Sequence, residues 1–471
     1  MSTSSPPPSA VAVIGAGVTG LTAAYQLVRS GVPVRVFETA AQVGGPVQTE
    51  QTSDGWLIES GPNSLLLGDA AVTRLFDELG LSARLQVAAG SARKRFLVRK
   101  GEVLALPTSP LAFVSTPLFS GAAKRRLLRE VIRGRGAPRS ADVSVAALVA
   151  EHLGQEWVDT ALQPFVSGIY AGDPSRLSAK HGFPQVWEAE QRSGSLIRGM
   201  LAGAKARRQR GEPRARMVSL PEGLHGIPRT LAEKLPTEAL SLGTRVDALR
   251  RTADGRWTVR WNRKGETGDE TFGTVLLALP AGALACLEID EPDHRPLGSL
   301  QSIEYPPVAS VFLGYRQEQV RHPLDGFGVL IPESERCRIL GVLFSSTLFP
   351  GRAPAGCVGL TVMLGGALHP ERGRLAAPDA VGTAREEVGR LLGVVGEPIL
   401  VRHRAWPQAI PQYNLGYDAF LATMESFERN HPGLLVGGHV RDGIALSACL
   451  SAGLKLADRA LALRRPSGPV G

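Results

Sequence analysis

VAVIGAGVTGLTAAYQLVRSGVPVRVFETAAQVGG, residues 11–45, decides the fold. The apolar run Val11–Ile14 suits a buried parallel strand. Gly15 permits a tight turn, Gly17 lets backbone approach a pyrophosphate, and Gly20 lets the next helix pack close to the strand. Ala16, Val18 and Thr19 complete that turn. A helix is expected over 19–30, stopped by Gly31, with its free N–H groups and dipole turned toward phosphates. Val34–Phe37 reads as the second strand. Glu38, followed by Thr39, closes it about twenty residues after the first glycine, where a carboxylate can accept from ribose hydroxyls. A turn that merely needed small residues would not also set strand, helix, second strand and acid in this order. The pattern therefore predicts a dinucleotide-binding α/β unit.

At 471 residues the chain is long enough for two or three domains and a large core. Hydrophobic residues make up 43% and charged residues 21%, the balance of a globular protein. Cys286, Cys337, Cys357 and Cys449 lie far apart without a CxxC pair, and the nine histidines lack HxH or HExxH spacing. A disulfide framework and a metal site are therefore not expected, and a reducing, cytoplasmic setting fits. The opening MSTSSPPPSA is polar and Pro-rich, lacks the apolar core of a signal peptide, and is expected to be disordered. The net charge of +9 favours an anionic partner, either a carboxylate substrate or anionic lipid. Without a nucleic-acid motif, nucleic acid is not expected.

Between Glu102 and Lys124 runs VLALPTSPLAFVSTPLFSGAA. It is long enough to span a bilayer, but Pro107, Pro110 and Pro117 forbid a regular spanning helix. Arg93, Lys94, Arg95, Arg99 and Lys100 precede it, and Lys124, Arg125, Arg126 and Arg129 follow. Apolar surface ringed by cations suits interfacial membrane contact, with Leu111, Phe113 and Phe119 as the contacting side chains, and the same run equally suits a lid over an apolar pocket or plain core. Helices are expected over 122–134 and 143–153. The run 198–216, with seven basic residues and one acid, reads as a solvated helix and loop. Strand signals at 308–315, 326–331, 339–344 and 358–364, with a helix over 381–392, suit an antiparallel sheet with helices on one side. LLVGGHVRDGIALSACL (434–450) is a strand, two Gly sites and a helix from about 446.

The acid at Glu38 followed by Gly44 and Gly45 resembles the two-part FAD fingerprint of the amine oxidase superfamily, with Pro46 standing where relatives carry Arg. Longer blocks narrow this further. ESGPNSLL (59–66), RFLVRKGEVLALP (95–107), PFVSGIYAGDPSRLS (164–178), FPQVWEAEQRSGSLIRG (183–199), FGVLIPESE (327–335), VMLGG (362–366) and WPQAIPQYNLGY (406–417) resemble oxygen-dependent protoporphyrinogen oxidase. Tyr417 stands where that family carries His.

The resemblance implies an α/β chain in three parts. These are a discontinuous Rossmann-like FAD-binding domain (1–75, 217–290 and 405–471), a mixed-sheet substrate-binding domain (76–94, 206–216 and 291–404) and a helical, membrane-facing domain (95–205). It further implies one non-covalent FAD contacted by Gly61, Pro62, Asn63, Ser64 and Trp406, by Val246 at the adenine, and by Gly443, Ile444 and Ala445 at the flavin edge. A helix dipole at that edge would stabilise charge gathered on reduction. The implied reaction is six-electron oxidation of protoporphyrinogen IX by O2 with release of H2O2, in haem biosynthesis. Arg95 would anchor a propionate, Asn63 would donate near flavin and substrate, and Gly168 and Gly172 would let the macrocycle approach backbone. Gly328, Leu330, Leu343 and Met363 would line the pocket. No side chain is assigned to acid–base chemistry. The family also implies peripheral contact with the inner face of a membrane, diphenyl-ether inhibitors, a homodimer and hand-off of product to a ferrochelatase. The precursor coproporphyrinogen is equally open as substrate.

Other flavoproteins share the dinucleotide unit. An amine oxidase typically places a Lys near the flavin, and this chain has none between Lys264 and Lys455 and no Cys near Trp406 for a covalent link. A carotenoid desaturase lacks the GIYAG and WPQAIPQY blocks. A non-catalytic FAD-binding scaffold would leave the pocket blocks without a purpose.

Overall fold

The computed structural model describes residues 10–132, 139–211 and 214–464, so the expected disorder of the first residues, the end of the helix expected over 122–134 and Glu212 lie outside the described residues. An all-parallel sheet of five strands organises the dinucleotide unit, in the order Leu240–Ser241, Val34–Phe37, Val11–Ile14, Thr274–Leu277, Leu434–Val436. Val11–Ile14 and Thr274–Leu277 are buried along their whole length, as parallel strands covered on both faces must be. The helix Val18–Arg29 packs on the sheet, and Leu446–Arg464 crosses it. The crossing is close because Gly453 has no side chain: a Cβ there would meet the Thr19 carbonyl and Thr22 Cβ. Segments more than 400 residues apart thus share one core.

A second sheet takes the order Glu266–Phe272, Trp257–Arg263, Arg245–Arg251, Glu288–Ile289. The largest runs Leu400–Trp406, Val308–Arg316, Cys357–Gly365, Gly341–Leu343, Gly328–Leu330, Phe96–Arg99, Glu102–Ala105. One of its faces (Val98, Val311, Val329, Val342, Val362) shares a core with Ala384 and Val388 of the helix Ala377–Leu392. The strands expected at 308–364 pair antiparallel, and the sheet is mixed, as expected of the substrate-binding domain, because Gly328–Leu330 and Phe96–Arg99 pair in parallel. These strands come from distant segments, so no tight turn forces them to run in opposite directions. The hairpin 96–105 is thereby set in this sheet, and the helices of the expected 95–205 unit begin only at Pro110–Ser115.

The apolar stretch after residue 102 breaks at its prolines. Pro110 opens a helix capped by the Ser109 hydroxyl, and Pro117 separates it from Gly121–Ile132. Phe119 is buried and stacks on Trp157 at 4.1 Å between centroids, and Phe113 stacks on the same indole at 6.0 Å. Phe119 is therefore core and Phe113 is half-buried against it; the exposed apolar side chains of these helices include Leu111, Val114, Leu128, Ile132 and Leu201. Among the described residues no helix is long and apolar enough to cross a membrane.

A buried ion pair ties the dinucleotide unit to the large sheet's loops. Glu59 Oε1 lies 3.2 Å from Arg352 Nη1, and both side chains are sealed from solvent. The Thr49 hydroxyl and Leu224 N–H donate to the carboxylate, and Arg352 donates to Ser219 Oγ while lying over the Phe349 ring. Burial pushes the Glu59 carboxyl up despite the opposing pull of Arg352. Removing the cation alone strands a buried carboxylate, so Arg352→Met should cost about 3–5 kcal/mol at neutral pH. A carboxyl raised in the folded state stabilises below its unfolded pKa and loses that stability as pH rises. The deficit of Arg352→Met should therefore shrink in urea melts at pH 5 relative to pH 7.5; an equal deficit at both would show that lost packing, not charge, is responsible.

Candidate active site

Two glycines of the first turn, Gly15 and Gly20, are set by close backbone contact. Gly15 takes φ +104°, and a Cβ there would lie 2.5 Å from the Ala278 carbonyl oxygen. A Cβ at Gly20 would run into the Gly15 carbonyl, so only glycine lets the helix sit this near the strand. Gly17 differs: a Cβ would find no atom within 4 Å. Open space therefore lies in front of its backbone. The helix that begins at Val18 has no side-chain cap, which leaves its first N–H groups for an anion.

Glu38 is held by two backbone donors, Ala16 N–H to Oε2 at 2.7 Å and Ala40 N–H to Oε1 at 2.8 Å. A carboxylate so fixed keeps lone pairs for ribose hydroxyls. Thr39 beside it is exposed. Gly44 N–H donates to the Ala16 carbonyl at 2.8 Å, docking the Gly44–Gly45 turn on the first. The Pro46 carbonyl occupies the space that a side chain at Gly61 would need. Thr244 N–H donates to the Glu38 carbonyl, and Val246 follows two residues on at a bulge, half-buried. The adenine-side residues are thus neighbours.

Trp406 donates its indole N–H to the Ser60 carbonyl at 2.9 Å, which brings the end of the large sheet to the Gly61–Ser64 loop. Asn63 Nδ2 donates to the Gly61 carbonyl at 3.1 Å. That amide hydrogen serves the loop itself and leaves the second N–H of Asn63 without a partner among the described residues. Pro62 and Ser64 are half-buried alongside.

The loop 437–445 is braced by residues whose role was not legible in the sequence. The Tyr413 hydroxyl donates to the His439 carbonyl at 2.6 Å and accepts from Gly443 N–H at 3.0 Å. Tyr417, its ring tilted 40° against Tyr413 at 4.4 Å, donates to the Val440 carbonyl at 2.7 Å. The departure at Tyr417 is therefore structural: it is a buried prop of this loop. Burial pushes both phenols well above their usual range, so they remain neutral donors. Gly443 adopts φ +113°, and Ile444 and the exposed Ala445 lead into the helix Leu446–Arg464. His439 Nε2 faces the Tyr305 hydroxyl at 3.0 Å, and burial pushes the His439 ring down to about 4.

The large sheet's other face holds the expected pocket residues together. Register sets Leu97, Leu330, Gly341, Met363, Ser310 and Arg404 in one row across six strands. Leu343 pairs with Gly328 in the adjacent row. Leu330, Leu343 and Met363 are half-buried, whereas their neighbours Val329, Val342 and Val362 point into the core. Arg95, two residues before Leu97, is exposed at one edge with its guanidinium 5.2 Å from the Phe327 ring and no carboxylate partner among the described residues. Arg404 is exposed at the other edge, 4.7 Å over Trp406 and likewise without a carboxylate partner among the described residues.

Two glycine roles are corrected. The space beside Gly168, on the helix Gln163–Tyr170, is filled by Leu330 of the large sheet, and that beside Gly172, in the loop after this helix, by the Gln412 amide, so neither glycine opens backbone to a ligand. Gly328 likewise lets two strands approach, since a Cβ would strike the Val342 carbonyl. Among the described residues no cluster of His, Cys, Asp or Glu could hold a metal ion.

The open backbone at Gly17, the uncapped helix and the fixed Glu38 suit a flavin dinucleotide. The sequence matches the flavin containing amine oxidoreductase family over residues 18–461. Protoporphyrinogen oxidase 2, chloroplastic/mitochondrial, of Arabidopsis thaliana is 32% identical over 473 residues, covering 95% of this chain and 93% of that protein. Coproporphyrinogen III oxidase of Bacillus subtilis (strain 168) is 28% identical over 472 residues, covering 96% and 97%. A solved structure from Exiguobacterium sp. 255-15 superposes with a TM-score of 0.81 at 23% identity, covering 96% of this chain and 98% of that one. The chain belongs to the flavin-containing amine oxidoreductases, among relatives named protoporphyrinogen oxidase, and FAD is its cofactor.

Proposed function

We propose that the chain oxidises protoporphyrinogen IX to protoporphyrin IX, with O2 as acceptor and H2O2 as the reduced product. The observation that carries this reading is the half-buried apolar face of Leu330, Leu343 and Met363, with Arg95, which has no carboxylate partner among the described residues, at its edge. A wide apolar macrocycle bearing propionates needs such a floor and such an anchor. Identity of 32% to the Arabidopsis protoporphyrinogen oxidase supports it. FAD, when bound, supplies two-electron hydride acceptance. Three such turns account for the six electrons, consuming three O2 and giving three H2O2 per porphyrin. The chain's own residues bind and orient: Arg95 takes a propionate, and Leu330, Leu343 and Met363 exclude water from the ring. No acid–base side chain is invoked.

A second substrate reading rests on Arg404. Its backbone lies five strands from that of Arg95, roughly 24 Å at about 4.8 Å per strand. Cations at both edges of an apolar floor favour a macrocycle with carboxylates on opposite rims. Coproporphyrinogen III, with a propionate on every ring, is such a molecule, and the Bacillus relative is named for it.

Membrane contact is proposed for the face bearing Leu111, Val114, Leu128 and Ile132. The exposed Arg125 and Arg129 would meet anionic headgroups. Lys124 and Arg126 are spent on the Val114, Thr116, Ala150 and Glu151 carbonyls. On this reading the protein works in the cytoplasm, against the inner face of a membrane. A homodimer, inhibition by diphenyl ethers and hand-off to a ferrochelatase belong to the same reading.

Purified yellow protein should turn protoporphyrinogen IX into fluorescent porphyrin in air, with O2 uptake of three per porphyrin; no rate above autoxidation with FAD still bound would sink the porphyrin reading. Arg95→Ala should raise KM for the substrate by about 10- to 150-fold, a loss of roughly 1.5–3 kcal/mol with kcat little changed. Unchanged KM would put the anchor elsewhere. If coproporphyrinogen III is also turned over, Arg404→Ala should slow that substrate alone; equal effects on both would remove the two-edge reading. In flotation with vesicles containing anionic lipid, the wild type should bind and the Leu111→Ser/Leu128→Ser/Ile132→Ser variant should not; identical flotation would end the membrane reading.

A further inference from the structure

We propose that His439 is a cofactor-binding residue whose Nδ1–H donates to the polyol joining the phosphates and ring of bound FAD.

The position comes from the loop's two ends. His439 follows strand Leu434–Val436 at its carboxyl end, where open parallel sheets bind ligands. Its neighbour Gly438, at φ +106°, lies against the side chain of Thr19, on the first turn of the helix that faces the pyrophosphate. Four residues after His439, Gly443 begins the stretch facing the flavin edge, held by Tyr413. A cofactor with phosphates at one end of this loop and ring at the other must lay its hydroxylated linker along it. A side chain at 439 that offers a donor would meet hydroxyl oxygens.

The donor is fixed by a relay on the far side of the ring. Ala281 N–H donates to the Tyr305 hydroxyl at 3.1 Å, which engages one lone pair of that oxygen. The Tyr305 proton has no other acceptor among the described residues, so it is given to His439 Nε2 at 3.0 Å. Burial keeps both groups neutral, raising the Tyr305 phenol and lowering the imidazole. A neutral imidazole that accepts at Nε2 carries its proton at Nδ1. Nδ1 has no hydrogen-bond partner among the described residues, and the side chain is only half-buried, so this N–H is not sealed in the core. An oriented, tautomer-locked donor at this point is otherwise unexplained, because the backbone of His439 is already held by Tyr413.

FAD affinity of the full-length protein, read by flavin fluorescence quenching, tests the proposal without reference to turnover. His439→Asn keeps an amide N–H near the Nδ1 position, whereas His439→Gln moves it toward Nε2. Expected Kd values are within twofold of wild type for His439→Asn, and weaker by about 3- to 10-fold for His439→Gln. Tyr305→Phe, which frees the tautomer, should fall between them. FAD-saturated urea midpoints within error of wild type would show that all three variants fold. Equal Kd across the series overturns the proposal, as does equal weakening by Asn and Gln, which would reduce His439 to a packing residue.

Discussion

The contact between Gly20 and the Gly15 carbonyl is the constraint to which the other cofactor contacts refer. It brings the helix Val18–Arg29 onto the first strand so closely that the helix's unpaired N–H groups open at the strand's carboxyl end. Ala16 N–H then reaches Glu38, and the Ala16 carbonyl receives Gly44. The crossing helix Leu446–Arg464 is positioned against the same element through Gly453, and the Thr19 hydroxyl donates to the Cys449 carbonyl. Loosening one backbone contact would shift both ends of the cofactor groove together.

A second layer of fixation comes from neutral buried hydroxyls. Tyr305, Tyr413 and Tyr417 lie within one aromatic cluster and reach the loop 437–445 from different directions. Phenols suit this work: they carry a large apolar body for packing and one donor at the tip. Their burial forbids ionisation, so the groove's shape does not depend on pH in the neutral range. The Glu59–Arg352 pair acts differently, as a charged rivet that must be complete to be tolerated.

How much of this was legible in the sequence follows from contact range. Residues 11–45 carry their own context within one strand–helix–strand unit, so turn, helix and acid could be read directly. The alternation of Leu330, Leu343 and Met363 against Val329, Val342 and Val362 was readable as strands, but which face meets a ligand depends on the helix Ala377–Leu392 covering the opposite one. Gly168 and Gly172 misled because a glycine opens space without saying who fills it; Leu330 and Gln412 do. At Phe113 and Phe119 surface and core could not be told apart, because an apolar run between prolines does not reveal that Trp157 will stack on it. The Tyr305–His439 contact bridges 134 positions, beyond any local pattern.

The parallel sheet also orders events in time. Val11–Ile14 lies between strands 34–37 and 274–277, and the outermost strand and its crossing helix come from the last forty residues. On the ribosome, at about 5–20 residues per second, the first strand waits some tens of seconds for its remaining neighbours. During that interval Val13, Leu21 and Leu27 have no Leu450 or Leu456 to pack against. A chain truncated before Leu446 would therefore leave an apolar surface for chaperones rather than a weaker flavoprotein.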